Sequence, residues 1–100
     1  MTTETVHTIT AYVMTANGGK YVRQLCKHWS HKLEVEVEGD VGKVVFPDAV
    51  TTMTADEAGI AIAITGHERE SVERLTDVVA RHIDRFAFRE DPLIYDWNWQ

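Results

Sequence analysis

The sequence predicts a two-layer α+β domain of order β-α-β-β-β-β-α, an antiparallel sheet carrying both helices on one face. Three observations predict it. Five short windows alternate apolar and polar residues, the period of a half-buried strand. Two windows repeat apolar residues three and four positions apart, the spacing of one helix face. The four middle strands are joined only by short turns, and strands joined so closely pair antiparallel.

The first strand is "HTITAYVMT", where Ile9, Ala11 and Val13 alternate with Thr8, Thr10 and Tyr12. "ANGGKY" breaks it: the glycines supply a turn and Asn17 is a good N-cap. A helix follows over Tyr21–Ser30, with Val22, Leu25, Cys26 and Trp29 on one face. "LEVEVE" points Leu33, Val35 and Val37 inward and Glu34, Glu36 and Glu38 outward. "GDVG" turns it into "KVVFP" as a hairpin. "VTTMT" is the fourth strand, with Met53 inward. "DEAG" turns into "IAIAI", with Ile60, Ile62 and Ile64 on one face. Thr65 and Glu68 read as a capping box for the long second helix. Its apolar face is Val72, Leu75, Val78, Val79, Ile83 and Phe86, and Glu70/Arg74 and Asp77/Arg81 are acid-first i,i+4 pairs. Asp91-Pro92 closes the helical region. The aromatic tail "LIYDWNWQ" is expected to pack. The element order is that of the TATA-binding-protein-like fold, a likeness of topology that carries nothing about function.

One hundred residues make one domain, with the 44% apolar and 26% charged content of an ordinary globular chain. A formal net charge of −6 opposes nucleic acid and anionic membranes, both of which call for a basic surface. The three outward glutamates of "LEVEVE" would repel DNA. No apolar run approaches a membrane span. "MTTETVHTIT" has neither the basic start nor the apolar run of a signal peptide. Cys26 is the only cysteine. A lone thiol and no leader lead us to expect a cytoplasmic protein.

The stretch "QLCKHWSHK" holds a cysteine and two histidines. On a helix, His28 lies roughly 200° round from Cys26, so the two cannot share an ion. Cys26 reads as a small core residue. His28 and His31 are roughly 60° apart and could touch one ion, but a structural zinc site takes four ligands. The competing reading is a polar helix end suited to the C-terminal dipole. His82 falls inside the apolar stripe of the second helix. It is either a hydrogen-bonded core histidine or, with His28, the lining of a pocket between the helices. Tyr21 is adjacent to His28 in angle. His7 and His67 read as surface or turn residues. "RHIDRFAFRE" mixes cations with aromatics, but Asp84, Glu90 and Asp91 cancel its field. Its arginines are expected to pair with acids while Phe86 and Phe88 enter the core; anion binding by Arg85 or Arg89 is the other reading. No phosphate loop, nucleophile elbow or paired carboxylates appear, and no cofactor is identified.

"YVRQLCKHWSHK", the Glu-Val strand, "GKVVFP", and the closing "VVARHIDRFAFRE" with a terminal tryptophan resemble domain of unknown function 2218. The likeness runs from about Ala11 to Trp97 and departs at "FPDA", where the family's turn carries glycine. The resemblance implies a small bacterial protein, and a context: similar domains are fused to siderophore-interacting, ferric-reductase-like proteins. The histidines it implies as shared map to His28, His31 and His82.

Three functions stand. The first is a non-enzymatic binding or accessory domain linked to iron or siderophore handling, with a siderophore or ferric-reductase-type partner; its candidate ligand residues are His28, His31, His82, Tyr21, Arg85 and Arg89. The second is a small enzyme using His82 with His28 or Tyr21 as acid or base in an inter-helix pocket. The third is a purely structural or interaction protein. The sheet face opposite the core is small, neutral and partly apolar away from the glutamates. Such a face is usually covered, here by the aromatic tail or by a second copy in a homodimer.

Overall fold

The computed structural model describes residues 5–100. The expectation about a leader rests partly on residues 1–4, which lie outside the described residues. The elements are β1 (His7–Met14), α1 (Gly18–Trp29), β2 (Glu34–Glu38), β3 (Val41–Val45), β4 (Ala49–Ala55), β5 (Gly59–Gly66), α2 (Arg69–Phe86) and β6 (Asn98–Trp99). They form one antiparallel sheet of order β2-β3-β4-β5-β1-β6. The predicted α+β architecture is the observed one, with one strand added. No described helix is long and apolar enough to cross a membrane.

The core lies between the sheet and the two helices. Ile9, Val13, Met53, Ile60, Ile62 and Ile64 rise from the strands to meet Val22, Leu25 and Cys26 of α1 and Val72, Val79 and Ile83 of α2. Each fully buried aliphatic side chain of this kind contributes about 1.5–3 kcal/mol. The alternation in the strands therefore fixes both the register and the buried face: a slip of one residue would turn the isoleucines of β5 to water. Val37 escapes the rule. It sits at the hairpin end of the edge strand β2 and is 47% exposed.

Four local expectations are corrected. The glycines before Tyr21 form the first turn of α1 rather than the turn preceding it. A Cβ on Gly18 would stand 2.9 Å from Ile60 Cγ1, so glycine there lets the helix start lie directly on β5. Asn17 occupies the N-cap but makes no side-chain capping bond; its amide reaches Glu90 instead. Thr65 is no capping residue. β5 runs on to Gly66, and the Thr65 hydroxyl bonds Thr8 across the sheet at 2.9 Å. α2 ends at Phe86, short of Asp91-Pro92, because Ala87 leaves helical geometry while its N–H still reaches the Ile83 carbonyl. The hairpin between β2 and β3 turns on Gly39 and Asp40, with Gly39 at φ 59°, a conformation natural to glycine.

The tail packs, as expected, but on the helix side of the sheet. The Tyr95 hydroxyl donates to Asp84 at 2.9 Å, and Tyr95 stacks on Trp97. Trp99 pairs with Ile9 in β6 and lies under the Arg69 guanidinium, 4.0 Å from its ring centre. His7, expected on the surface, begins β1 and meets the edge of Trp99.

Candidate functional site

The six candidate residues separate along the helices. Tyr21 opens α1 and His28 nearly closes it, roughly 10 Å further on at about 1.5 Å per residue. Tyr21 and Arg89 line one cavity, at the start of α1 and just beyond the end of α2. His28 and His82 meet near the other end of α1. His31 and Arg85 are exposed, with no assigned partner among the described residues.

At the histidine end, the His82 ring centre is 5.5 Å from that of His28 and 5.0 Å from that of Trp29. Trp29 in turn meets Phe46 edge-on at 5.2 Å. The His82 Nδ1–H donates to the Val78 carbonyl at 2.7 Å, one turn back in its own helix. These contacts give a half-buried histidine a hydrogen bond and aromatic neighbours. Among the described residues no group of three or more His, Cys, Asp or Glu side chains is placed to hold a metal ion.

Cys26 is buried in the core, and burial alone raises its thiol pKa. Its Sγ lies over Gly42 of β3, where a Cβ would stand 2.5 Å away. Packing of the helix on the sheet therefore depends on the bare glycine backbone facing the sulfur.

The Tyr21 end is built around Glu90, in sequence only one of the acids that offset the nearby arginines. Glu90 lies in the turn after α2, and three donors converge on its carboxylate. The Thr15 hydroxyl reaches both oxygens at 2.9 Å, the Asn17 amide stands at 3.4 Å, and the Tyr21 hydroxyl makes a short bond. Donation from Tyr21, Thr15 and Asn17 holds the Glu90 pKa below its ordinary value against a partial opposing effect of burial. The Tyr21 phenol is raised, first by burial and then by its bond to Glu90. Glu90 thus ties the end of α2 to the β1–α1 junction. The only local sign of this in the sequence was the cluster of Thr15, Asn17 and Tyr21 as unspent donors.

Beside this joint opens a cavity of about 520 Å³. Lys20 and Arg89 flank it, and neither has an ion-pair partner among the described residues. Phe86 and Phe88 supply its aromatic wall; Phe88, expected in the core, is 73% exposed. The Arg89 guanidinium lies 5.4 Å from the Phe88 ring centre. Gln24 lines the same cavity, and its side-chain oxygen is buried without a hydrogen-bond partner.

The family model described as "uncharacterized protein conserved in bacteria (DUF2218)" matches residues 10–98. The fold is similar to that in the NMR structure of PA4090 from Pseudomonas aeruginosa, with 31% sequence identity, a TM-score of 0.79, and coverage of 91% of this chain and 94% of that one. Comparison with curated proteins finds no match.

Proposed function

The chain belongs to the DUF2218 family of bacterial proteins, and from that premise we propose that it is a binding or accessory domain for iron or siderophore handling, with the Tyr21–Arg89 cavity as its ligand seat. The observation that carries this reading is the pair of unpaired cations, Lys20 and Arg89, beside the exposed Phe88 and the half-buried Phe86 in a chain of net charge −6. That combination suits an aromatic anion such as a ferric catecholate. Phenyl rings offer it stacking, and ammonium and guanidinium groups take its charge. The cavity volume falls within the roughly 300–1,000 Å³ of small-molecule sites. The lone Gln24 oxygen would accept from a ligand hydroxyl or amide. Glu90 is already held by three donors, so its charge serves the joint. Iron would arrive in the ligand's own donor atoms, and a ferric-reductase-type protein is the partner that would exchange it.

Calorimetric and fluorescence titration with ferric catecholates, ferric hydroxamates and haem tests this reading. Binding of a ferric catecholate that weakens at least tenfold in Arg89→Ala, with the melting temperature unchanged, is the expected result. No heat and no spectral change with any of these ligands would overturn it.

A further inference from the structure

The strand faces turned away from the helices form a second surface. Cross-strand registers place Thr52 and Thr54 of β4 opposite Ala63 and Ala61 of β5, and these opposite Thr10 and Tyr12 of β1. No charged side chain stands in this central field. The methyl-sized side chains of β5 lie in a trough of about 460 Å³, walled by the taller threonines of β4 and by Tyr12. The tail touches only its border: Tyr95 bonds α2 and Trp99 lies under Arg69, while the Gln100 amide donates to the Thr10 hydroxyl at 2.8 Å. Charge collects along the β2 side and at one strand end, where the Tyr12 hydroxyl donates to Asp56 at 2.8 Å. Glu34, Glu36 and Glu38 project from the edge strand β2, with Lys43 beside Glu36 at 3.8 Å. The opposite rim carries the amide of Asn98 on β6.

We propose that this face seats a second copy of the same chain in a two-fold homodimer whose axis runs along the strands between β4 and β5. The strand order selects that axis. It lays β4 of one copy over β5 of the other, so the ridge of Thr52 and Thr54 enters the trough over Ala61 and Ala63, twice by symmetry. It also lays β2 over β6, so Glu36 faces the Asn98 amide of the second copy. An axis across the strands would instead set β2 on β2 and bring six glutamates together, a repulsion that excludes it. The face measures roughly 25 Å by 20 Å at about 4.8 Å per strand and 3.3 Å per residue. Two copies would then bury about 1,000 Å² in all, just below the range of stable specific interfaces. The dimer is therefore weak and forms at micromolar concentrations and above.

Sedimentation equilibrium from 1 to 500 µM is the test. The expected mass rises from 11.4 kDa toward twice that value. Ala61→Glu puts a charge in the trough at an exposed position. It should give the monomer mass throughout while the circular dichroism melt stays unchanged. Asn98→Lys sets a cation against the Glu36 rim and should tighten the dimer severalfold, an effect that salt removes. A monomer mass over the whole range overturns the proposal, as does a dimer indifferent to Ala61→Glu. A dimer that Ala61→Glu breaks but Asn98→Lys weakens overturns the assigned axis.

Discussion

Tyr21→Phe isolates the Glu90 joint. The substitution keeps the buried ring and removes one hydroxyl, which donates to the Glu90 carboxylate. A hydrogen bond to a charged group contributes about 1.5–3 kcal/mol. Glu90 is only partly buried and keeps Thr15 and Asn17, so the lower end applies, about 1.5 kcal/mol. For a domain of this length that is about 6–12 °C in Tm. The pH dependence follows from the direction of the Glu90 shift. Its folded pKa lies below the unfolded value of about 4.3, so its contribution is full above that pH and is lost as pH falls through the folded pKa. Thermal melts followed by circular dichroism at pH 7 and pH 3 should therefore show the full deficit at pH 7 and a smaller one at pH 3. Equal deficits at both pH values, or a variant melting within 2 °C of the parent at pH 7, would refute the reasoning.

Gly42→Ala should cost about 1–3 kcal/mol in urea unfolding, because the new methyl meets Cys26 Sγ; Cys26→Ala in the same chain should return much of it. Thr51→Val should raise stability by about 1 kcal/mol, since the Thr51 hydroxyl is buried without a partner and valine keeps the shape; a loss in the same urea assay would show that the hydroxyl is satisfied. Cys26 should resist a thiol reagent in the native state, with burial holding the thiol protonated, and rapid stoichiometric labelling would contradict its placement. His82→Leu should fold and stay within about 1 kcal/mol of the parent by denaturant midpoint, because its ring bond reaches only a carbonyl one turn back and leucine keeps the contact with Trp29. It should leave ligand binding at the Arg89 cavity intact; loss of that binding would relocate the site.

The strands were legible because their alternation is nearly perfect, and Cys26 because it shares a helix face with Val22, Leu25 and Trp29. The tail was legible only in part. Leu93, Tyr95, Trp97 and Trp99 are half-buried while the residues between them are exposed, a period of two that already described an extended segment. What no local pattern could give is the edge it joins. The Glu90 joint is similar. Thr15, Asn17, Tyr21 and Glu90 come from three segments, and only the docking of α2 beside α1 brings a carboxylate to those donors. The expected capping box failed because a threonine with a glutamate three residues on suits a helix start only where the strand before it has ended. Here the pairing of β5 with β1 carries the strand through Thr65.

Strand β1 has consequences for the order in which the chain can acquire its structure. Its neighbour on one side is β5, with the Thr8 and Thr65 hydroxyls bonded across 57 positions of sequence. Its neighbour on the other is the tail, where the Gln100 amide reaches Thr10 across 90. Strands β2 to β5 can zip together through short turns, but β1 must wait for β5 on one side and for the tail on the other. Loop closure over such spans is entropically slow, so the unpaired apolar stretch Ile9–Val13 is the vulnerable segment of a nascent or refolding molecule. Hydrogen-exchange labelling during refolding should find the β3–β4 amides protected before those of β1, with the β1–β6 pair last of all.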